Sequence, residues 1–377
     1  MIPVVRLLCD LIEIPSVNPE LCPDRPEITG EEGVAKHLIG LAKSAGLEIA
    51  RQPVFPGREN LLVTLPAKGE RKQRVILAPH MDTVPVVSDD QLKAGLREGR
   101  IYGRGACDTK GCIATYFQTL LDLAYQSNRP ENTEILFLGL VDEEVNQSGS
   151  RVFGESEIKG DLAIVGEPTE LEVVTAHKGN FWLTLSVKGK AAHGAAPHLG
   201  ENAVHHMARI VDVLLSKYVV QLNQRSHPLL GSPTINIGLI NGGSQPNIVP
   251  DECSISIDRR SIPGETGESV MSEINSLLDQ HGLAARLIEE IRTVPCHPLD
   301  TSPDQPLIQD LLEATNCAEA KGVHYFSDAS PISQGGTPTV LYGPGSIAQA
   351  HTADEWIEIQ QIEVAAGKLK KFLEKLD

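Results

Sequence analysis

The run Glu134-Ile-Leu-Phe-Leu-Gly-Leu-Val141 passes without a break into Asp142-Glu143-Glu144. An apolar run with no polar alternation reads as a strand covered on both faces. Three consecutive acids at the end of such a strand repel one another and cost stability unless a cation compensates them. An exposed acidic turn is the plain alternative, and it is the weaker one because this strand should end inside a sheet. Adjacent residues in extended chain point to opposite sides, so Glu143 and Glu144 can take different roles, one on a metal and one facing the substrate water.

Two more apolar runs end in the same manner. Arg74-Val-Ile-Leu-Ala78 leads into Pro79-His80-Met-Asp82, and Asp161-Leu-Ala-Ile-Val165 leads into Gly166-Glu167-Pro168. In His80-Met-Asp82 the two polar side chains fall on one side; His80 can bind a metal through one ring nitrogen while Asp82 holds the other. Taken alone, that tripeptide also reads as a loop histidine beside a capping aspartate. Asp108 stands alone among the small residues of Gly103-Arg-Gly-Ala-Cys-Asp108-Thr-Lys-Gly111, ahead of a helix-like run to Tyr125. By itself it reads equally well as a helix N-cap. His351 lies in Gln349-Ala-His-Thr352.

Strands alternating with helices predict an α/β sheet carrying its ligands beyond the carboxyl ends of the strands. Helices are expected at residues 4–14, 31–45, 306–316 and from 360, and a strand at 338–341. Near Gly179 the texture changes. Phe181–Val187 alternates, a helix follows at 202–217, then strands at 234–238 and 253–258, a helix at 265–280 and a strand at 284–291. That order, β-α-β-β-α-β, is the ferredoxin-like pattern. It predicts a separate α+β domain, residues 179–291, inserted into a catalytic domain formed by 1–178 and 292–377.

Bulk properties narrow the partners. The chain has 377 residues, 41% of them hydrophobic, and a formal net charge of −17. That charge argues against nucleic acid or an anionic membrane surface as the main partner. Seven cysteines without CxxC spacing fit reduced thiols in the cytoplasm. The first residues lack the pattern of a secretion signal, and no apolar stretch is long enough to span a membrane.

His80, Asp108, Glu144, Glu167 and His351 form an oxygen and imidazole donor set without thiolate, which suits a hydrolytic Zn²⁺, Co²⁺ or Mn²⁺ site. Two histidines and three carboxylates, one able to bridge, suffice for two ions. With these motifs in this order, from Pro79-His-Met-Asp82 to Gln349-Ala-His351, the chain resembles the co-catalytic di-zinc metallopeptidases that include acetylornithine deacetylase, succinyl-diaminopimelate desuccinylase, aminoacylase and carboxypeptidase G. The resemblance implies a zinc-exopeptidase-like sheet flanked by helices. It implies that His80, Asp108 and Glu167 hold one zinc, that Asp108 bridges, and that Glu144 and His351 hold the second. It assigns Glu143 as general base, Asp82 as the residue orienting His80, and a cis peptide after Asp108. Within the family, Gly343–His351 and Ala176–Gly179 look like the acetylornithine deacetylases. Gly189–Asn202 looks like the desuccinylases and carboxypeptidase G.

The same resemblance implies that His193 of the inserted domain reaches across a homodimer interface to stabilise the oxyanion, and that Asn247 and Arg259 line the substrate pocket. Arg259 suits a substrate carboxylate through a bidentate contact, although Arg260 beside it keeps the choice of arginine open. Gly335 and Gly336 would let backbone N–H groups approach that carboxylate; a plain turn would need glycine there too. The expected activity is hydrolysis of the amide bond of an N-acyl amino acid, as in acetylornithine deacetylase. The rivals are a desuccinylase, a broad dipeptidase or carboxypeptidase, and a catalytically silent binding protein on the same scaffold.

Overall fold

The computed structural model describes residues 2–126, 129–290 and 296–377. Contacts divide the chain into two compact units: Met1–Thr175 with Thr301–Lys321 and Ser327–Asp377, and Ala176–Asp300 with Gly322–Phe326.

In the first unit the apolar runs become neighbouring strands. Thr133–Gly139, Gln73–Pro79, Leu162–Gly166 and Thr339–Tyr342 lie side by side in that order, all parallel. Leu77 stands between Phe137 and Ile164. An antiparallel hairpin, Glu48–Phe55 and Arg58–Leu65, extends the sheet beyond Thr133–Gly139. Helices Pro3–Ile12, Glu32–Ser44, Lys110–Tyr125, Pro306–Thr315 and Ile359–Glu374 pack into the same apolar core. Phe117 from one of them meets Phe137 of the sheet edge to face, with ring centroids 5.0 Å apart. Cover from helices is why these strands read as continuous apolar runs. Three of the parallel strands release His80, the acid run and Glu167 at one edge of the sheet, their carboxyl ends.

Several elements went unrecognised in the sequence. Helix Ser148–Glu155 follows the acid run, and Ala329–Gln334 is a second short helix. A small sheet joins Gly95–Arg97, Arg100–Tyr102 and Trp356–Glu358. Asp108 is not a helix cap: Thr109 occupies that position before Lys110–Tyr125, and the Asp108–Thr109 peptide is cis.

The second unit has a four-stranded antiparallel sheet in the order Thr234–Gly242, Glu252–Ser261, Gly179–Lys188, Arg286–Glu290. Helices Ala203–Val213 and Gly267–Gln280 complete the β-α-β-β-α-β order. The first of them runs on through a π turn, Leu214–Tyr218, as far as Leu222. Ile291, expected to end the last strand, lies outside the described residues. Along Glu252–Ser261 burial alternates strictly: Cys253, Ile255, Ile257, Arg259 and Ser261 turn inward. Thr234–Gly242 lies at the end of the sheet order, with Leu239 and Ile240 60% and 58% exposed.

Gly335 and Gly336 have a structural explanation that needs no ligand. Helices Ser148–Glu155 and Ala329–Gln334 approach so closely that a Cβ on Gly335 would sit 2.3 Å from the Gly154 carbonyl oxygen. Gly336 turns the chain away at φ +95°. Gly40, in Glu32–Ser44, faces open space instead. Gly335→Ala is expected to lose about 1–3 kcal/mol of stability, while Gly40→Ala gains about 0.5–1 kcal/mol. Urea denaturation of both variants checks this, and a Gly335→Ala chain as stable as the parent would contradict the close approach.

Candidate metal centre

The acid run divides its labour by backbone geometry. Asp142 adopts φ +69° and turns away from its two neighbours' task. Its carboxylate accepts from Asn18 Nδ2 (3.0 Å), Arg58 (3.3 Å) and Ser148 Oγ (2.6 Å). Arg58 is itself clamped by buried Glu31 through two hydrogen bonds of 2.6 and 3.0 Å. Asp142 is thus tied into a hydrogen-bond network with a guanidinium that it shares with Glu31, and Glu143 and Glu144 are left for other work.

Asp82 positions that pair. Its side chain is fully buried. Its Oδ1 accepts from the Glu143 N–H (3.1 Å), and Oδ2 accepts from the Glu144 N–H (3.2 Å) and Asn18 Nδ2 (2.8 Å). The expected hold of Asp82 on His80 takes a different form. His80 Nδ1 lies 3.0 Å from the backbone carbonyl of Asp82 and 3.5 Å from its carboxylate. That leaves Nε2 turned to Asp108 Oδ1, 3.1 Å away.

Around Asp108 the other groups converge. Ligand atoms of His80, Asp108 and Glu144 all lie within 4.8 Å of one another. His351, at φ +63°, brings Nε2 to 3.3 Å from Asp108 Oδ2 and 3.1 Å from Glu144 Oε2. Asp108 thus offers one oxygen to each imidazole, the arrangement a bridging carboxylate needs. Glu167, 4% exposed, leaves the sheet at the same edge. Among the described residues, Glu144 Oε1 and Glu167 Oε1 are buried with no hydrogen-bond partner. Orphaned carboxylate oxygens are costly inside a protein. With two imidazoles and a carboxylate beside them, these residues fit divalent cations.

The protonation equilibria carry the same message. Burial, with the charge of Asp108, pushes Glu144 up to about 7. Burial raises Glu143 well above the carboxylate range, and nearby Asp328, Glu144 and Asp108 add to it against the opposing pull of His80. Glu167 is raised by burial and by Glu143 and Asp108. Conversely, hydrogen bonds to Asp108 and Glu144 lift His351 to about 10. Burial works to raise Asp108 too, but the His351 and His80 hydrogen bonds outweigh it and its pKa falls. The imidazole protons stand where positive charge is wanted.

Asp328 joins this environment and was not assigned a role from the sequence. It is fully buried, accepts from Ser150 Oγ (2.5 Å) with Oδ1, and leaves Oδ2 without a partner among the described residues. Burial, aided by Asp82 and Asp142, pushes it up to about 7.

In the second unit the expected residues separate. His193 and Asn247 come together: Ala192–His193 pairs antiparallel with Ile248–Val249, and the Gly194 N–H donates to the Asn247 carbonyl (2.7 Å). Both side chains are exposed. Arg259 does not face a substrate pocket. It is 0% exposed, donates to Glu265 Oε1 (2.7 Å) and Tyr218 OH (3.4 Å), and holds the Arg260 carbonyl. The strand's parity turns it inward with Ile255 and Ile257. Arg260 points the other way, ion-paired with Asp258 at 3.0 Å. It lines a cavity of about 670 Å³ together with Lys178, Ser232, Thr234, His324 and Tyr325.

Comparison with known proteins agrees with this anatomy. Residues 175–286 match a peptidase dimerisation domain, and residues 60–211 match peptidase family M28. Acetylornithine deacetylase of Edwardsiella ictaluri is 32% identical over 94% of this chain and 92% of its own length. Acetylornithine deacetylase of Photorhabdus laumondii is 30% identical over 99% and 96%. Among solved structures, aminopeptidase PepT from Bacillus cereus superposes with a TM-score of 0.80 at 22% identity, covering 99% of this chain and 97% of that one. The M20 family metallo-carboxypeptidase Sso-CP2 from Sulfolobus solfataricus gives 0.76 at 18%, covering 99% of each. With relatives of this identity along nearly its whole length, and this fold beneath its clustered acids and imidazoles, the chain belongs to the M20 metallopeptidase family and is a metal-dependent hydrolase.

Proposed function

We propose that the chain hydrolyses the amide bond of an N-acyl amino acid, as the acetylornithine deacetylases do, at a centre for two divalent cations, zinc first among them. The observation that carries this reading is the pair of orphaned oxygens on Glu144 and Glu167, set with Asp108 and two imidazoles. His80, Asp108 and Glu167 would hold one ion, and Asp108, Glu144 and His351 the other. Bound there, the ions supply Lewis acidity, polarising the acyl carbonyl and making water a stronger acid.

The chain's own residues do the rest. Glu143, whose burial raises its proton affinity, accepts a proton from the attacking water and returns it to the leaving amine. Asp82 fixes Glu143 through its backbone N–H. His193 donates a hydrogen bond to the oxyanion. Arg260, whose side chain turns away from the core of the second unit, takes the role first given to Arg259, binding the substrate carboxylate.

An N-succinyl amino acid, the substrate class of the desuccinylases that Gly189–Asn202 resembles, is the alternative, and turnover of paired N-acetyl and N-succinyl substrates separates the two.

Partnership follows from the second unit. A dimerisation-domain match and an edge strand exposing Leu239 and Ile240 support a homodimer formed through this unit.

Three outcomes test these assignments. Glu143→Ala should lower kcat by roughly 10²–10⁴ while metal content, measured by plasma emission, stays at the parent value; loss of metal would put Glu143 among the ligands instead. Arg260→Lys should raise KM for carboxylate-bearing substrates because the planar fork is lost, whereas Arg259→Lys should lower thermal stability and leave KM alone. An unchanged KM in Arg260→Lys removes it from the binding role. Finally, His193→Ala and Glu143→Ala chains, each inactive, should recover partial activity on mixing if His193 serves the neighbouring chain. Demonstrated subunit exchange without recovery rules that arrangement out.

A further inference from the structure

Glu355 lies four positions after His351 and is 2% exposed. Its Oε1 accepts from the backbone N–H groups of Cys107 (2.8 Å) and Asp108 (2.9 Å). Its Oε2 accepts from the Gly105 N–H (2.9 Å) and Arg104 (2.7 Å). Two oxygens thus receive four donors, close to the full capacity of a carboxylate. The Glu355 carbonyl accepts a further bond from the Gly103 N–H (3.1 Å), and Trp356 pairs with Tyr102 in the adjoining strand. The loop from Gly103 to Asp108 is therefore wrapped around one side chain, and that side chain belongs to the segment that carries His351.

We propose that Glu355 is a positioning residue that staples the Asp108 loop to the His351 segment and so sets how tightly the centre holds its cations. The inference rests on the metal-centre reading given above. Asp108 can offer one oxygen to each side of the cluster only if its backbone is held in place. Here the amide nitrogen of Asp108 itself is bound to Glu355. His351, four residues before Glu355 on the same segment, meets the Asp108 carboxylate at Oδ2. A carboxylate is the right group because every atom presented to it is a donor. An amide of the same shape would aim its own N–H groups at Arg104 or at two backbone N–H groups, and the loop would have to move. Outer groups that orient metal ligands commonly change affinity by about 10–100-fold when replaced.

The test titrates metal-free protein with Co²⁺ and Zn²⁺, following heat and the visible spectrum of cobalt, and measures thermal unfolding of the same metal-free samples. Glu355→Gln should weaken cation affinity about 10–100-fold and alter the cobalt spectrum. Glu355→Asp, which retains the charge one methylene short, should fall between Glu355→Gln and the parent. A purely structural role would lower the unfolding temperature of both variants and leave the affinity of the folded protein unchanged; that result overturns the proposal. If Glu355→Gln is not recovered folded, Glu355→Asp decides, and affinity within about twofold of the parent is again the overturning result. Failure of the parent chain to bind either cation would instead overturn the metal-centre reading, which keeps the two failures distinct.

Discussion

Asp82 gives both carboxylate oxygens to the backbone of the turn that follows a neighbouring strand. In a dry interior this is an unusual commitment of negative charge, because Glu143 and Glu144 bring two more. It holds because the donors are amide dipoles and Asn18, with the His80 imidazole 3.5 Å away, while Arg58 is taken up by Glu31 and Asp142. Charge is therefore sorted within a few residues. One acid shares a guanidinium with Glu31, one is spent on amides, and Asp108 and Glu144 meet the imidazoles. What remains uncompensated marks the place for cations. The parallel sheet makes the sorting possible by ending its strands together, so that short loops, each leaving a buried strand, need reach only a little way to meet.

Much of this was legible because it is local. The strands announced themselves by apolar runs, and each ended in a ligand type within a few residues. The β-α-β-β-α-β order of the second unit was readable from alternation and glycine stops. The role of Arg259 was misjudged although the signal was present: Cys253, Ile255 and Ile257 share its parity, so it had to turn inward with them, and Arg260 outward. In the fold Glu265 receives it, six residues on.

Other features had no local signal. Glu355 meets the Asp108 amide from 247 positions away, and Ser150 meets Asp328 across 178. Neither residue sits in a patterned stretch that reveals its partner; only the closed fold does. Gly335 had a pattern, a glycine pair, but its cause is the Gly154 backbone it touches. Glycine in sequence signals close approach without naming what approaches.

The contact between Gly154 and Gly335 has a consequence for laboratory evolution of this scaffold. Helix Ser148–Glu155 begins just beyond the acid turn, and Ala329–Gln334 follows directly upon Asp328. Backbone touches backbone between them, so neither helix can slide without displacing both acids. A library that randomises this seam would return mostly unfolded chains. The side chain of Arg260 is the contrasting case: it lines an open cavity, and a change of shape there disturbs no packed helix.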